Sequence, residues 1–221
     1  MTLKLTTTDK QFGAQVFSLL AKKIDPVILK AVAPIELRIT NLIKQRLLSD
    51  PVLDSMKNGQ LALDFGLSPA VASRAISEMV EAIDRSVTVN VLRGGKIFSA
   101  GFSGLRIFLD PVGPIEDIPS GSYDSNGHNI EWMDWLLNRG SQVVVSGFES
   151  VYALNTISDP TAVSYAGGSR SGLGFMIKSG NSFRVDPRYA GTSNDNFLTR
   201  LVSGSRLSIE NIIKEEINKV L

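Results

Sequence analysis

The sequence predicts an α+β fold: N-terminal helices, an antiparallel β-sheet made of a meander and a hairpin, a C-terminal amphipathic helix, and long polar loops between them. Three observations carry that prediction. Apolar residues recur at helical spacing up to Arg85, the period changes to two after it, and helical spacing returns beyond Asn196.

The elements follow in chain order. Phe12, Val16, Leu19 and Leu20 form a helical stripe after an Asp9 cap, and the run is expected to stop near Ile24-Asp25-Pro26, because proline disfavours helix in the residue before it. A second stripe, Ile35, Ile39, Leu42, Ile43 and Leu47, keeps Glu36, Arg38, Lys44, Gln45 and Arg46 largely off its face, so one side of this helix must be buried. Pro34 suits its first turn and Asp50-Pro51 closes it. Residues 58–67 contain Gly59 and Gly66 and read as a connection or short strand. Ser68 then caps a helix with Pro69 in its first turn and Ala72, Ala75, Ile76, Met79, Val80 and Ile83 on one face.

Val87, Val89 and Val91 alternate with Thr88, Asn90 and Leu92 as a strand, Gly94-Gly95 turns into Ile97-Phe98, and Leu105, Ile107 and Leu109 alternate again before Asp110-Pro111. A β-meander results. Residues 111–129 read as a long irregular connection, followed by a short helix from Ile130 to Asn138, capped by Asn129 and closed by Gly140. Val143-Val144-Val145 and Val151-Tyr152 are strand material, and residues 155–172 form a second polar loop. A final hairpin is expected from Leu173–Ile177 and Phe183–Val185 around Ser179-Gly180-Asn181. The last helix starts near 193–196, with a potential break at Ser203-Gly204-Ser205. Its apolar side is Ile209, Ile213, Ile217 and Val220, and Glu210–Lys214 and Glu215–Lys219 pair four apart on its solvated face.

With 221 residues, 43% apolar and 20% charged, the chain is a folded protein and reads as one α+β domain over residues 1–221, with 1–50 readable as a helical N-terminal extension. A net charge of +1 disfavours binding of nucleic acid by counterion release. The absence of cysteine excludes disulfides, a thiolate zinc site and a thiol nucleophile. No apolar run reaches the roughly 18 to 20 residues of a spanning helix, and residues 1–10 lack a secretory pattern, so a soluble product without membrane contact is expected.

Catalytic candidates are sparse. His128, the sole histidine, has no second histidine for a metal and no clear oriented carboxylate partner. Glu131 and Asp134 share a helix face, for which solvation is the simpler account than a shared cation. The run Gly167-Gly168-Ser169-Arg170-Ser171-Gly172-Leu173-Gly174 lacks the Lys-Ser/Thr ending of a phosphate loop and precedes a strand, and Ser169 and Ser171 have no nearby base. No catalytic, cofactor or metal residue is therefore assigned. Trp132 and Trp135 are three apart on one helical side, as core packing or as an interface anchor. Residues 61–76 are similar to a repressor helix-turn-helix, which would place Ser73 and Arg74 on a recognition helix.

A broader likeness covers roughly residues 35–92 and 130–221. Residues 130–137, the arginine-bearing loop Ser169-Arg170-Ser171-Gly172 leading to Phe175–Gly180, Asp186-Pro187-Arg188-Tyr189-Ala190-Gly191-Thr192 and Asn196-Phe197-Leu198-Thr199-Arg200 resemble the C-terminal half of tail-completion or neck proteins of tailed bacteriophages. The long helix, the Phe65-Gly66-Leu67 segment and the helix after it are similar too. The resemblance implies a structural virion subunit, not an enzyme, made in the host cytoplasm and placed at the head–tail junction. It implies a homo-oligomeric ring of about six around the DNA channel, with portal or adaptor proteins on the head side and a tail terminator or tail tube on the other. DNA would pass without sequence-specific binding. Residues 111–129 and 155–172 would be contact arms, and the interface would draw on Trp132, Trp135, Arg170, Arg184, Arg188, Tyr189 and Phe197.

Overall fold

A computed structural model describes residues 9–92, 104–125, 128–140, 143–152, 174–186 and 188–220. They form helices and two-stranded antiparallel sheets, an α+β arrangement as expected. Where the sequence reads as one domain, the chain divides into two compact units. Unit 1 comprises Met1–Leu42, Ser86–Leu109 and Ser205–Leu221; unit 2 comprises Ile43–Arg85 and Asp110–Gly204. Both boundaries near the chain ends fall inside helices, so no linker composition marks them.

Helix α1, Asp9–Leu48, does not stop at Pro26 but continues through it and through Pro34. Each proline removes one backbone donor from the ladder. Both prolines are exposed, while Ile28, Ala31, Ile35, Ile39, Ile43 and Leu47 form one unbroken buried stripe. Continuous burial along one side outweighs two missing hydrogen bonds on the other.

In unit 1, β1 (Val87–Leu92) pairs antiparallel with β2 (Gly104–Leu109), Val87 opposite Leu109 and Leu92 opposite Gly104. The strands expected at the two ends of the meander are thus direct neighbours, and Ile97 and Phe98 lie outside the described residues. Val87 and Val89 are buried while Thr88, Asn90 and Phe108 face outward, which is the period-two pattern of a one-sided sheet.

The terminal helix, α7 (Phe197–Val220), is unbroken at Ser203-Gly204-Ser205. Its deeply buried positions are Phe197, Leu198, Leu201, Ser205, Ile212 and Glu216, whereas Ile209, Ile213, Ile217 and Val220 are half-buried flanks. The ion pairs shift accordingly: Arg206 pairs with Glu210 at 3.1 Å and Lys219 with Glu216 at 2.6 Å. Arg38 of α1 reaches both Glu215 (2.8 Å) and Glu216 (2.7 Å).

Glu216 is buried, and the Lys219 ammonium and then the Arg38 guanidinium hold its carboxyl below the usual glutamate range. A carboxyl that titrates lower when folded stabilises fully above its unfolded value of about 4.3, and that contribution fades as pH falls through the lower folded value. Melting followed by circular dichroism should show wild type above Glu216→Gln at pH 7, with the gap closing as pH is lowered below about 4. A gap independent of pH would mean that the carboxylate charge contributes nothing.

Unit 2 is mostly helical. Asp50 caps α2 (Pro51–Asn58) by accepting from the Val52 amide at 2.9 Å. The segment expected as a connection or strand is instead helix α3 (Gln60–Asp64), because Gly59 lets α3 start against α2: a Cβ there would lie 2.7 Å from Ser55 Cα. Gly66, at φ 61°, makes the turn into α4 (Pro69–Ile83), where Ser68 accepts from the Val71 amide at 3.4 Å and Ala72, Ala75, Ile76, Met79 and Ile83 are buried. Val80 is half-buried.

The described residues of 111–129, namely 111–125 and 128–129, form regular elements and not an irregular connection. Helix α5 (Val112–Glu116), a 3₁₀ turn (Pro119–Gly121) and β3 (Tyr123–Ser125) precede β4 (His128–Ile130), which pairs with β3. Long-range hydrogen bonds to the preceding helices account for this. Glu78 of α4 accepts from the Ser120 amide (2.8 Å) and hydroxyl (3.0 Å), and the Tyr123 hydroxyl donates to Phe65 O at 2.6 Å. Helix α6 (Trp132–Leu137) starts two residues later than expected, with Glu131 and not Asn129 at its N-cap. Gly140 closes it at φ 59°.

β5 (Val143–Tyr152) pairs antiparallel with β6 (Gly174–Arg184). Ser179-Gly180-Asn181 therefore lies within one continuous strand, where the register slips between Ser146/Ser182 and Phe148/Lys178, and makes a bulge in place of the expected hairpin turn.

Candidate assembly interface

The arginine-bearing loop between β6 and α7 is built on unit 2 from the inside out. Asp186 O accepts from the amides of Tyr189 (2.8 Å) and Ala190 (2.9 Å), which folds a turn. Gly191 is buried and joins the loop to the end of α6: its amide donates to Leu136 O at 3.0 Å and its carbonyl accepts from the Gly140 amide at 2.5 Å. Asn196, fully buried, accepts through Oδ1 from the amides of Leu198 (3.1 Å) and Thr199 (3.0 Å) and donates through Nδ2 to Thr192 O (3.1 Å) and Leu137 O (3.4 Å). It is the N-cap of α7, and Thr199 Oγ1 returns the favour by accepting from the Asn196 amide at 2.9 Å. A loop tied down this way holds its outer side chains at fixed positions.

Those outer side chains include Arg188. Its guanidinium grips Asp186 through Nε (3.0 and 3.1 Å) and Nη2 (2.6 Å), lies 5.5 Å from the Tyr189 ring centroid, and is 74% exposed. Hydrogen bonding from Arg188 holds the Asp186 carboxyl below its usual range, and the same contact raises Arg188. Tyr189 is half-buried and Arg184 is exposed at the end of β6. These three, with one side of the half-buried Trp135, face outward on unit 2.

Two expected interface residues are core instead. Trp132 has no exposed surface; its indole N–H donates to Ser120 O at 2.8 Å and its ring packs 5.7 Å from that of Phe65. Phe197 is 2% exposed because the first turn of α7 points it inward. A residue without surface cannot touch a partner directly. Trp135 is also beside Phe65, with centroids 6.5 Å apart. Arg170, with Ser169, Ser171 and residues 155–172 as a whole, lies outside the described residues.

Glu131 and Asp134 are not simply solvated: Arg139 bridges them, its Nε 2.5 Å from Asp134 and its Nη2 3.9 Å from Glu131. Asn138 Nδ2 donates to Glu116 (2.7 Å) and Asp134 (3.1 Å). Glu116, Glu131, Asp134 and Arg139, with Asp117, Ile118, Gly121, Ser122 and Met133, line a cleft of about 430 Å³ that carries four carboxylates and one guanidinium. Nothing local in the sequence announces it, because α5 and α6 bring its two halves together. His128 sits on β4 opposite Ser125. Among the described residues, no three His, Asp or Glu side chains are grouped to hold a metal ion, and no helix is long and apolar enough to cross a membrane.

In unit 1 the conspicuous feature is unburied apolar surface. Phe12 and Leu19 of the first helical stripe are 61% and 62% exposed, and Leu29, Leu37, Phe108 and Leu207 join them. The helix-turn-helix candidate, in unit 2, keeps Ser73 and Arg74 exposed on α4, but its first helix has five residues and Glu78 and Glu81 lie beyond Arg74. No protein-family model, curated protein or solved structure matches the chain.

Proposed function

We propose that this chain is a structural subunit of the head–tail junction of a tailed bacteriophage, which closes a ring of about six copies around the DNA channel between portal or adaptor proteins and the tail terminator or tube. The virion setting rests on the sequence likeness. The observation that carries the assembling role is the distribution of apolar surface. Of the seven large apolar side chains exposed among the described residues, six belong to unit 1, with Leu48 the exception. Phe12, Leu19 and Leu37 lie along one side of α1, and exposed apolar side chains aligned on one helix suit a protein contact. Electron microscopy of the purified chain, alone and with its virion partners, should reveal closed rings; a monomer under both conditions ends the proposal.

Arg188 supplies a sharper measurement. Its ion pair is local and exposed, so Arg188→Ala should leave the melting temperature nearly unchanged. At a ring contact the same change should raise the concentration for half-assembly about tenfold. Equal losses of folding and assembly would make the residue structural.

Gly66 in the left-handed region and the exposed Ser73 and Arg74 favour a second reading, duplex DNA binding through residues 61–76. That reading requires tight, salt-sensitive binding lost on Arg74→Ala. The carboxylates of Glu78 and Glu81 on the same helix weigh against it.

A further inference from the structure

Along α1, the residues Leu19, Lys23, Pro26, Lys30, Ala33 and Leu37 are all exposed, and their spacing alternates between four and three. That spacing draws one straight seam on a helix, opposite in kind to the buried stripe of Ile28, Ala31, Ile35 and Ile39. The seam reads apolar, lysine, apolar, lysine, apolar, apolar. Neither Lys23 nor Lys30 has an ion pair among the described residues. Over its length α1 carries seven Lys or Arg against three Asp or Glu in a chain whose net charge is +1, so the remainder is acidic.

Two copies of α1 are poor partners for each other, because a seam against a seam sets lysines among lysines. The surface that answers this charge is on the chain itself. The unit 2 cleft between α5 and α6 has four carboxylates to one guanidinium, and Asp117 and Glu131 are exposed at it, Glu131 with only the distant Arg139 contact at 3.9 Å.

We infer that the Leu19–Leu37 seam of one copy docks on the acidic cleft of a second copy, Lys23 and Lys30 facing Asp117 and Glu131, with the seam's leucines covered at the margins. The contact joins two different surfaces, so it propagates from copy to copy as a ring requires. This rests on the assembling role proposed above and names the surfaces that perform it.

The test uses charge reversal in the full chain, with assembly followed by sedimentation velocity at physiological salt. Lys23→Glu/Lys30→Glu spoils the seam and Asp117→Lys/Glu131→Lys spoils the cleft. All four side chains are exposed, and circular dichroism checks that each variant stays folded. Each variant alone should need at least about tenfold more protein to assemble, since like charges meet, and the wild-type assembly should weaken with added salt. Mixed in equal amounts, the two variants should recover assembly, because each meets the reversed charge on the other. Wild-type assembly left unchanged by both variants would place the contact elsewhere and leave the assembling role standing. Loss of assembly without recovery on mixing also overturns the pairing. A monomeric wild type that instead binds anionic vesicles or duplex DNA through Lys23 and Lys30 overturns both inferences.

Discussion

Trp132→Ala should cost about 3–5 kcal/mol of folding stability, the range for deleting a large buried aromatic. The indole has no solvent contact, and Phe65, Met133 and Leu136 around it are also buried. Its removal leaves a cavity and forfeits the tilted Phe65 stacking at 5.7 Å, worth about 0.5–1.5 kcal/mol of the total. It also orphans Ser120 O, which holds the indole N–H at 2.8 Å. Trp132→Phe separates these contributions: a ring remains, the hydrogen bond does not, and a loss of about 1–3 kcal/mol is expected from the unsatisfied carbonyl. Because the Ser120 segment is held from the other side by Glu78, slackening there should loosen the 3₁₀ turn as well. Urea unfolding read by far-ultraviolet circular dichroism measures both variants, with Trp135 remaining as a fluorescent reporter. If Trp132→Ala kept wild-type stability yet abolished assembly, the side chain would belong to a contact surface and its burial here would be irrelevant.

The contrast between Trp132 and Trp135 shows where sequence stops informing. Three residues apart on one short helix, they have the same chemistry and local pattern, yet one is sealed and the other half-exposed. That difference depends on the 3₁₀ turn and Phe65, which arrive from distant parts of the chain. Features set by nearest neighbours were legible: the Ser68-Pro69 start of α4, the buried series Ile35, Ile39, Ile43 and Leu47, the alternation of Val87 and Val89, and the stop at Gly140. The α1 seam was also written in the spacing, but Pro26 read as a terminus and cut it in half. Exposed prolines can be tolerated when the opposite side is fully buried, and only the fold reveals that condition. Ser179-Gly180-Asn181 suits a turn and a bulge equally, and the partner strand decided. The cleft has no local signature at all, since Glu116 and Asp117 meet Glu131 and Asp134 only through tertiary packing.

The second large effect belongs to the junction of Gly191 and Asn196. Asn196→Ala removes four side-chain hydrogen bonds at a site without solvent. Loss of the cap contributes about 1 kcal/mol and the stranded carbonyl of Leu137 about 1–3 kcal/mol more, while Thr192 O keeps the Asp195 amide at 3.1 Å, so a total near 3 kcal/mol is expected. Asn196→Ser restores an N-cap acceptor but neither amide donor, and should recover only the smaller share. Gly191→Ala attacks the same junction sterically. The new Cβ would lie 2.9 Å from Asn196 Cα and 3.0 Å from Leu136 O, and it would meet the Asn196 Cβ closer still. Those are atoms at or beside the backbone, so no rotamer change relieves the overlap, and about 1–3 kcal/mol of strain follows. Combining Gly191→Ala with Asn196→Ala gives no relief, because alanine keeps the offending Cβ. Hydrogen exchange is the discriminating measurement. The Gly140 and Gly191 amides, which bond across this junction, should lose protection in both variants before the α4 amides do. Uniform loss of protection throughout unit 2 would instead show that the loop and the helical core open as one, and that Arg188 and Tyr189 are displayed by the whole unit and not by a locally fastened loop.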